Sequence, residues 1–152
     1  MIRLRLSWAS AIAVCLLLGA APAARSVQPD IYPAPAQAKT DVAAALAASA
    51  ASHKRIILDF GGNWCTDCNV LDRYFHDPAN LPILDAGYIL VHVNVGRMNE
   101  NVDIAERYKI PLRKGVPALA VLDERGDLLY GQTGGEFQAM RGIRSTDVRD
   151  FL

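Results

Sequence analysis

Two cysteines three residues apart give this chain its clearest chemical signal. They stand in the run Trp64-Cys65-Thr66-Asp67-Cys68, shortly after the apolar residues 56–60 and two glycines. This order predicts a strand, a tight turn and a helix that opens on Cys65. A thiolate at a helix N-terminus is stabilised by the helix dipole and by unpaired backbone N–H groups. Cys68 lies one turn further along the same face, so the two thiols can form a disulfide.

Two other interpretations of the cysteine pair remain open beside a redox-active dithiol. A zinc site needs a second pair of ligands, and the remaining candidates (Cys15, His53, His76 and His92) form no paired motif. An inert structural disulfide between such close residues closes a very short loop and constrains the unfolded chain little. Redox chemistry is therefore the favoured interpretation.

Asp59 is the candidate acid nearest to the cysteines in sequence. It lies six residues before Cys65, inside the apolar run, which has the pattern of a strand buried on both faces. We therefore expect a largely buried carboxylate. The alternative is that Asp59 points to a solvated edge.

The rest of the chain alternates helix and strand patterns. A short turn or helix is predicted to begin at Asp77-Pro78. Helices are predicted at 42–52, 65–75 and 99–108 and from Ser145 onward, and strands at 55–60, 88–95, 118–122 and 128–130. This order predicts an α/β fold with a central mixed β-sheet flanked by helices.

The N-terminus has the pattern of a secretory signal peptide. Residues 1–23 combine a basic start, a short apolar stretch and small residues at the exit. The alternative is an uncleaved N-terminal anchor in the inner membrane. Residues 24–39 are rich in proline and are expected to be a flexible lead-in, followed by one domain at 40–152.

The predicted export and the charge composition exclude some classes of function. Cleavage would remove Cys15 and leave Cys65 and Cys68 as the only cysteines, so the pair is better suited to chemistry than to scaffolding. The 16 basic and 16 acidic residues form no basic patch, which argues against nucleic-acid binding.

The chain resembles the thioredoxin superfamily in a series of motifs that occur in the same order. They are Ile57-Leu58-Asp59-Phe60, Trp64-Cys65-Thr66-Asp67-Cys68, Tyr108-Lys109-Ile110, Gly115-Val116-Pro117-Ala118-Leu119 and Gly134-Gly135. The resemblance covers roughly residues 40–152. It is greatest to exported bacterial thioredoxin-like proteins and to the C-terminal reductase domain of the transmembrane electron transporter that serves the periplasm. It implies a thioredoxin-like fold and thiol–disulfide exchange.

The resemblance also implies roles for individual residues. Cys65 would attack a substrate disulfide and Cys68 would resolve the mixed disulfide, while Asp59 relays a proton to or from Cys68. Trp64 would flank the disulfide, and Val116 with a cis Pro117 would bind an extended substrate. The alternatives are a core position for Trp64 and a trans proline at 117. Thr66-Asp67 replaces the Gly-Pro pair of ordinary thioredoxins, so we assign these two residues to redox tuning.

The expected function is that of a periplasmic reductase of disulfides in exported proteins, with a membrane-embedded thiol as the expected electron donor. We expect a monomer that needs no cofactor beyond the Cys65–Cys68 disulfide and no metal. The alternatives are a disulfide oxidase or isomerase, a redox-linked Cu(I) chaperone and a non-catalytic binding module with the same fold.

Overall fold

A computed structural model describes residues 30–152, and the predicted signal peptide at 1–23 lies outside them. Within residues 30–152 the chain forms five α-helices and four β-strands. In chain order they are α1 (Ala38–Ser52), β1 (Arg55–Gly61), α2 (Thr66–Phe75), α3 (Leu81–Gly87), β2 (Tyr88–Asn94), α4 (Val102–Arg107), β3 (Ala118–Leu122), β4 (Leu128–Gly131) and α5 (Ser145–Phe151).

The four strands form one mixed sheet in the order β2-β1-β3-β4. β1 pairs parallel with β2 and antiparallel with β3, and β3 pairs antiparallel with β4. β1 is therefore central, and all of its residues after Arg55 are buried. The predicted α/β architecture with a mixed sheet flanked by helices is confirmed.

Alternate residues of β1 contribute to two separate hydrophobic clusters, as the two-residue period of a strand requires. One cluster contains Ile56, Leu58 and Phe60 together with residues of α1 and α4. The other contains Ile57, residues of α2 and α3, and Val148 of α5. Helices thus bury both sides of β1, and this anchors the strand that carries Asp59.

The segment before α1 differs from its prediction. It was expected to be flexible up to Lys39, but the ring of Tyr32 is buried and α1 begins at Ala38. Asn63 holds the backbone of Tyr32 by two hydrogen bonds of 2.9 Å, and Asn94 donates to the carbonyl of Pro33 at 2.7 Å. Prolines suggested a linker, whereas these distant asparagines fix the segment as part of the domain.

Smaller differences concern the ends of helices. The predicted helix at 99–108 is shortened to Val102–Arg107, because Asn101 has a left-handed backbone with φ of 53°. The turn at Asp77-Pro78 precedes the helix that begins at Leu81. None of the helices in residues 30–152 has the length and apolar character needed to cross a membrane.

Candidate active site

Cys65 stands at the junction between the central strand and helix α2. It is the N-cap of α2 rather than its first helical residue, and its sulfur accepts a hydrogen bond from the Cys68 backbone N–H at 3.1 Å. Cys65 and Cys68 form a disulfide, with their Cα atoms 5.2 Å apart. The helix dipole and this N–H both stabilise negative charge on the Cys65 sulfur. Cys68 is completely buried, whereas Cys65 retains 6% of its surface, so Cys65 is the more accessible sulfur.

Val116 brings a second backbone segment to the dithiol. Its carbonyl oxygen lies 3.7 Å from Cys65 Sγ, although the two residues are 51 positions apart in sequence. The Val116–Pro117 peptide bond is cis, as the resemblance implied. The structure therefore places the Val116 carbonyl, at the cis peptide bond to Pro117, beside Cys65.

Trp64 lies at the surface next to the disulfide. It is 41% exposed, so the alternative of an ordinary core aromatic is wrong. Its Nε1–H donates to the carbonyl of Gly96, and the Arg97 guanidinium lies 5.1 Å from the centre of the ring. Trp64 is thereby fixed against the loop after β2, and a cation covers one of its faces.

Thr66 and Asp67 form the first turn of α2. Thr66 is exposed and Asp67 is half-buried. Both line a shallow groove that also contains Arg73 and Arg141. A carboxylate between the two cysteines disfavours a thiolate on Cys65, because like charges repel.

Asp59 is buried within β1, as predicted, and the alternative of a solvated edge position is wrong. Its Oδ2 atom accepts a hydrogen bond from the Tyr32 hydroxyl at 2.6 Å and lies 3.0 Å from His92 Nδ1. Its Oδ1 atom is buried and has no hydrogen-bond partner within residues 30–152. A buried carboxylate oxygen without a partner is costly.

His92 links the buried carboxylate to a second acid. It faces Asp59 across the parallel pairing of β1 and β2, and its Nε2 atom lies 3.4 Å from Asp72 Oδ1. Burial lowers the pKa of His92, but the hydrogen bonds and charges of Asp59 and Asp72 outweigh it and raise the pKa to about 9. An imidazolium at neutral pH therefore lies between two carboxylates. Burial works against the ionised form of Asp72, yet His92 and its other cationic neighbours lower the pKa of Asp72.

Sequence reasoning did not identify Tyr32, His92 and Asp72 as members of this site. His92 was considered as a zinc ligand without a paired motif, and Tyr32 lay in the predicted lead-in. Strand register could have suggested His92, because pairing β1 with β2 sets it opposite Asp59. The sequence has no comparable signal for Tyr32.

Comparison with known proteins agrees with this geometry. The family model described as thioredoxin-like matches residues 37–124, and the chain belongs to that family. With its Cys-x-x-Cys pair, it is a thiol–disulfide oxidoreductase of the thioredoxin-like class.

One similar solved structure is the disulphide isomerase from Xylella fastidiosa Temecula1, with 34% sequence identity and a TM-score of 0.75. The match covers 80% of this chain and 92% of that one. A structure named DsbH oxidoreductase has 22% identity and a TM-score of 0.50, covers 72% and 81% of the two chains, and shows the fold alone. A search of curated proteins found no significant match.

Proposed function

We propose that the protein is an exported, periplasmic oxidoreductase that reduces disulfides in other exported proteins. The observation that carries the proposal is the position of Cys65, at the N-cap of α2 with its sulfur bonded to the buried Cys68. In the reduced protein the same position leaves one accessible thiolate and one buried thiol. These two groups are the ones that disulfide reduction requires.

Reduction begins with Cys65. Its thiolate attacks one sulfur of the substrate disulfide, forms a mixed disulfide and releases the other substrate sulfur. The Cys68 N–H and the α2 dipole stabilise the thiolate before attack. An extended substrate segment would lie along Val116 and Pro117, where backbone hydrogen bonds can hold it as an added strand, with Trp64 at its side.

Cys68 then resolves the mixed disulfide. Its thiol loses a proton, attacks Cys65 Sγ and releases the reduced substrate. The acid that receives this proton has to be close and buried, because Cys68 has no exposed surface. Asp59 is buried in the strand that leads to the dithiol and is our proposed proton acceptor.

The reducing direction is supported by Asp67 and by the predicted export. A carboxylate in the dithiol loop disfavours the Cys65 thiolate, so it favours the disulfide and makes the dithiol a better reductant. In an oxidising compartment such a dithiol has to be reduced again after each turnover. We therefore propose a membrane-embedded thiol as the electron donor.

Insulin reduction tests this function. The full-length protein, with dithiothreitol as reductant, should precipitate the insulin B chain at a catalytic rate, and Cys65→Ser should abolish the effect. Cys15→Ser is the matched control, because it removes a cysteine from the predicted signal peptide and should leave the rate unchanged. Insulin reduction that survives Cys65→Ser would contradict the proposal.

Disulfide isomerisation is the second candidate function, favoured by the 34% identity to a structure named as a disulphide isomerase. Isomerisation needs the Cys65 thiolate but transfers no net electrons, so it depends less on Cys68. The reduced protein and its Cys68→Ser variant can be compared in the reactivation of scrambled ribonuclease A. Equal reactivation by both proteins would favour the isomerase. Insulin reduction without reactivation of scrambled ribonuclease A would favour the reductase.

A further inference from the structure

Gly61 is the point at which a buried tyrosine hydroxyl approaches the dithiol. A Cβ atom at residue 61 would lie within 2.7 Å of both Tyr32 Oη and Cys68 Sγ. A glycine here therefore leaves room for the hydroxyl and the sulfur, because any side chain at residue 61 would collide with both. The Tyr32 hydroxyl and the resolving cysteine thus lie next to the same residue at the end of β1.

Tyr32 is also hydrogen-bonded to Asp59, the proposed proton acceptor. Its hydroxyl donates to Asp59 Oδ2 at 2.6 Å, and its ring packs edge-on against His92 at 5.0 Å between centroids. Burial, followed by the charge of Asp59, raises the pKa of Tyr32 well above its usual value. The phenol therefore stays neutral, and it can accept a hydrogen bond from a thiol while it donates its own proton to the carboxylate.

We propose that the Tyr32 hydroxyl carries the proton from the Cys68 thiol to the Asp59 carboxylate when the mixed disulfide is resolved. The Cys68 S–H bond breaks as its proton passes to Tyr32 Oη, and the Tyr32 O–H proton passes to Asp59 Oδ2. The Cys68 sulfur then bonds to Cys65 Sγ, and the substrate sulfur leaves as a thiolate that takes a proton from water. The dithiol loses two electrons and the substrate disulfide gains them. This inference rests on the roles proposed above for Cys65 and Cys68.

The charged groups around this path come from three elements. Asp59 belongs to β1, His92 to β2 and Asp72 to α2. Asp72 in turn interacts with Arg73 of α2 and with His76, which directly follows that helix. The His92 imidazolium lies beside Asp59 and compensates the buried negative charge. The oxygen that receives the transferred proton is Asp59 Oδ2, which the Tyr32 hydroxyl already contacts.

Tyr32→Phe is the direct test, since it keeps the ring and removes only the hydroxyl. The reduced full-length protein is mixed with glutathione disulfide, and samples quenched in acid are analysed by mass spectrometry between pH 6 and 8. Formation of the mixed disulfide on Cys65 should keep its wild-type rate. Its resolution by Cys68 should slow on the order of 10- to 100-fold at pH 6. The defect should shrink toward pH 8, as hydroxide takes over proton removal.

Tyr88→Phe is the matched control. The Tyr88 hydroxyl is also engaged, in a hydrogen bond to the carbonyl of Leu152, but in the other hydrophobic cluster. This variant should resolve the mixed disulfide at the wild-type rate. The wild-type resolution step should also slow in D₂O, and Tyr32→Phe should change that isotope effect. The isotope effect on the wild-type protein remains measurable even if Tyr32→Phe is unstable.

Resolution at the wild-type rate in Tyr32→Phe at every pH would overturn the proposal. So would an equal, pH-independent slowing of both steps, which indicates a structural role, or a wild-type resolution step without an isotope effect. If the wild-type protein forms no mixed disulfide on Cys65, the proposed function itself fails, and this outcome is distinct from failure of the Tyr32 relay.

Discussion

The buried histidine should make the stability of this protein depend on pH in a way that can be calculated. His92 has a folded pKa of about 9 against an ordinary value of 6.5, because the hydrogen bonds and charges of Asp59 and Asp72 outweigh the effect of burial. The folded state therefore binds this proton more tightly than the unfolded state does. The resulting stability is complete below pH 6.5 and is lost as the pH rises through about 9.

The magnitude follows from the size of the shift. Each pKa unit corresponds to about 1.4 kcal/mol, so a shift from 6.5 to about 9 contributes about 3 kcal/mol to the free energy of unfolding. The side chain is only 16% exposed, so solvent screens the interaction little. This contribution is large beside the total stability of an ordinary domain.

Urea unfolding of the oxidised protein at intervals between pH 6 and 9.5 measures the effect. The wild-type protein should lose up to about 3 kcal/mol over this range, and His92→Gln should lose much less. The control is His53→Asn, which removes an exposed histidine and retains a residue that tolerates its left-handed backbone. This control should follow the wild-type pH dependence.

Two outcomes of the urea unfolding would contradict a protonated His92 in the folded protein. A wild-type loss below about 1 kcal/mol, or an equal loss in His92→Gln, would show that His92 does not hold its proton as the ion pairs require. Asp41 lines the groove next to His92 and is a further acid that the titration has to take into account. An NMR titration of the His92 ring gives its pKa directly.

Three further changes test other parts of the account. Cys68→Ser should accumulate mixed disulfides on Cys65, visible on non-reducing gels, because the resolving thiol is gone; the absence of such adducts would mean that Cys65 is not the nucleophile. Asp67→His should shift the reduction potential toward oxidising values, because a cation stabilises the Cys65 thiolate. Equilibration with glutathione measures the potential, and Asp67→Asn should shift it less. An unchanged potential would show that residue 67 does not tune the cysteine pair. Tyr108→Phe should leave the free energy of unfolding unchanged or raise it by up to about 1 kcal/mol, because the Tyr108 hydroxyl is buried and has no hydrogen-bond partner in the described part of the chain. A clear loss of stability in urea unfolding would contradict this expectation.

The features predicted from the sequence were those with local causes. The apolar run before Asp59, the two glycines and the cysteine pair together specify a strand, a turn and a helix N-terminus within a few residues. The alternation of helix and strand patterns was sufficient for the mixed sheet, and the burial of Asp59 followed from its apolar neighbours. The proximity of Cys65 and Val116 was predicted only from the resemblance, because no local sequence pattern connects two residues so far apart.

The features that were missed depend on contacts between distant parts of the chain. Tyr32 is held by Asn63, which lies 31 residues away, so its proline-rich surroundings gave no indication of burial. The alternation of residues in β2 could predict the face of the sheet on which His92 lies, but not its contact with an acid. That contact depends on the register between two strands and on Asp72 from α2.

The central claim, a dithiol that acts as a reductant, is tested most directly by the reduction potential of the Cys65–Cys68 pair. The reference values run from about −270 mV for thioredoxin to about −120 mV for a strong periplasmic oxidant. Equilibration of the full-length protein with glutathione or dithiothreitol buffers should give roughly −200 to −280 mV, because Asp67 disfavours the thiolate of the reduced form. A value near about −120 mV would contradict the account and would identify the protein as an oxidant.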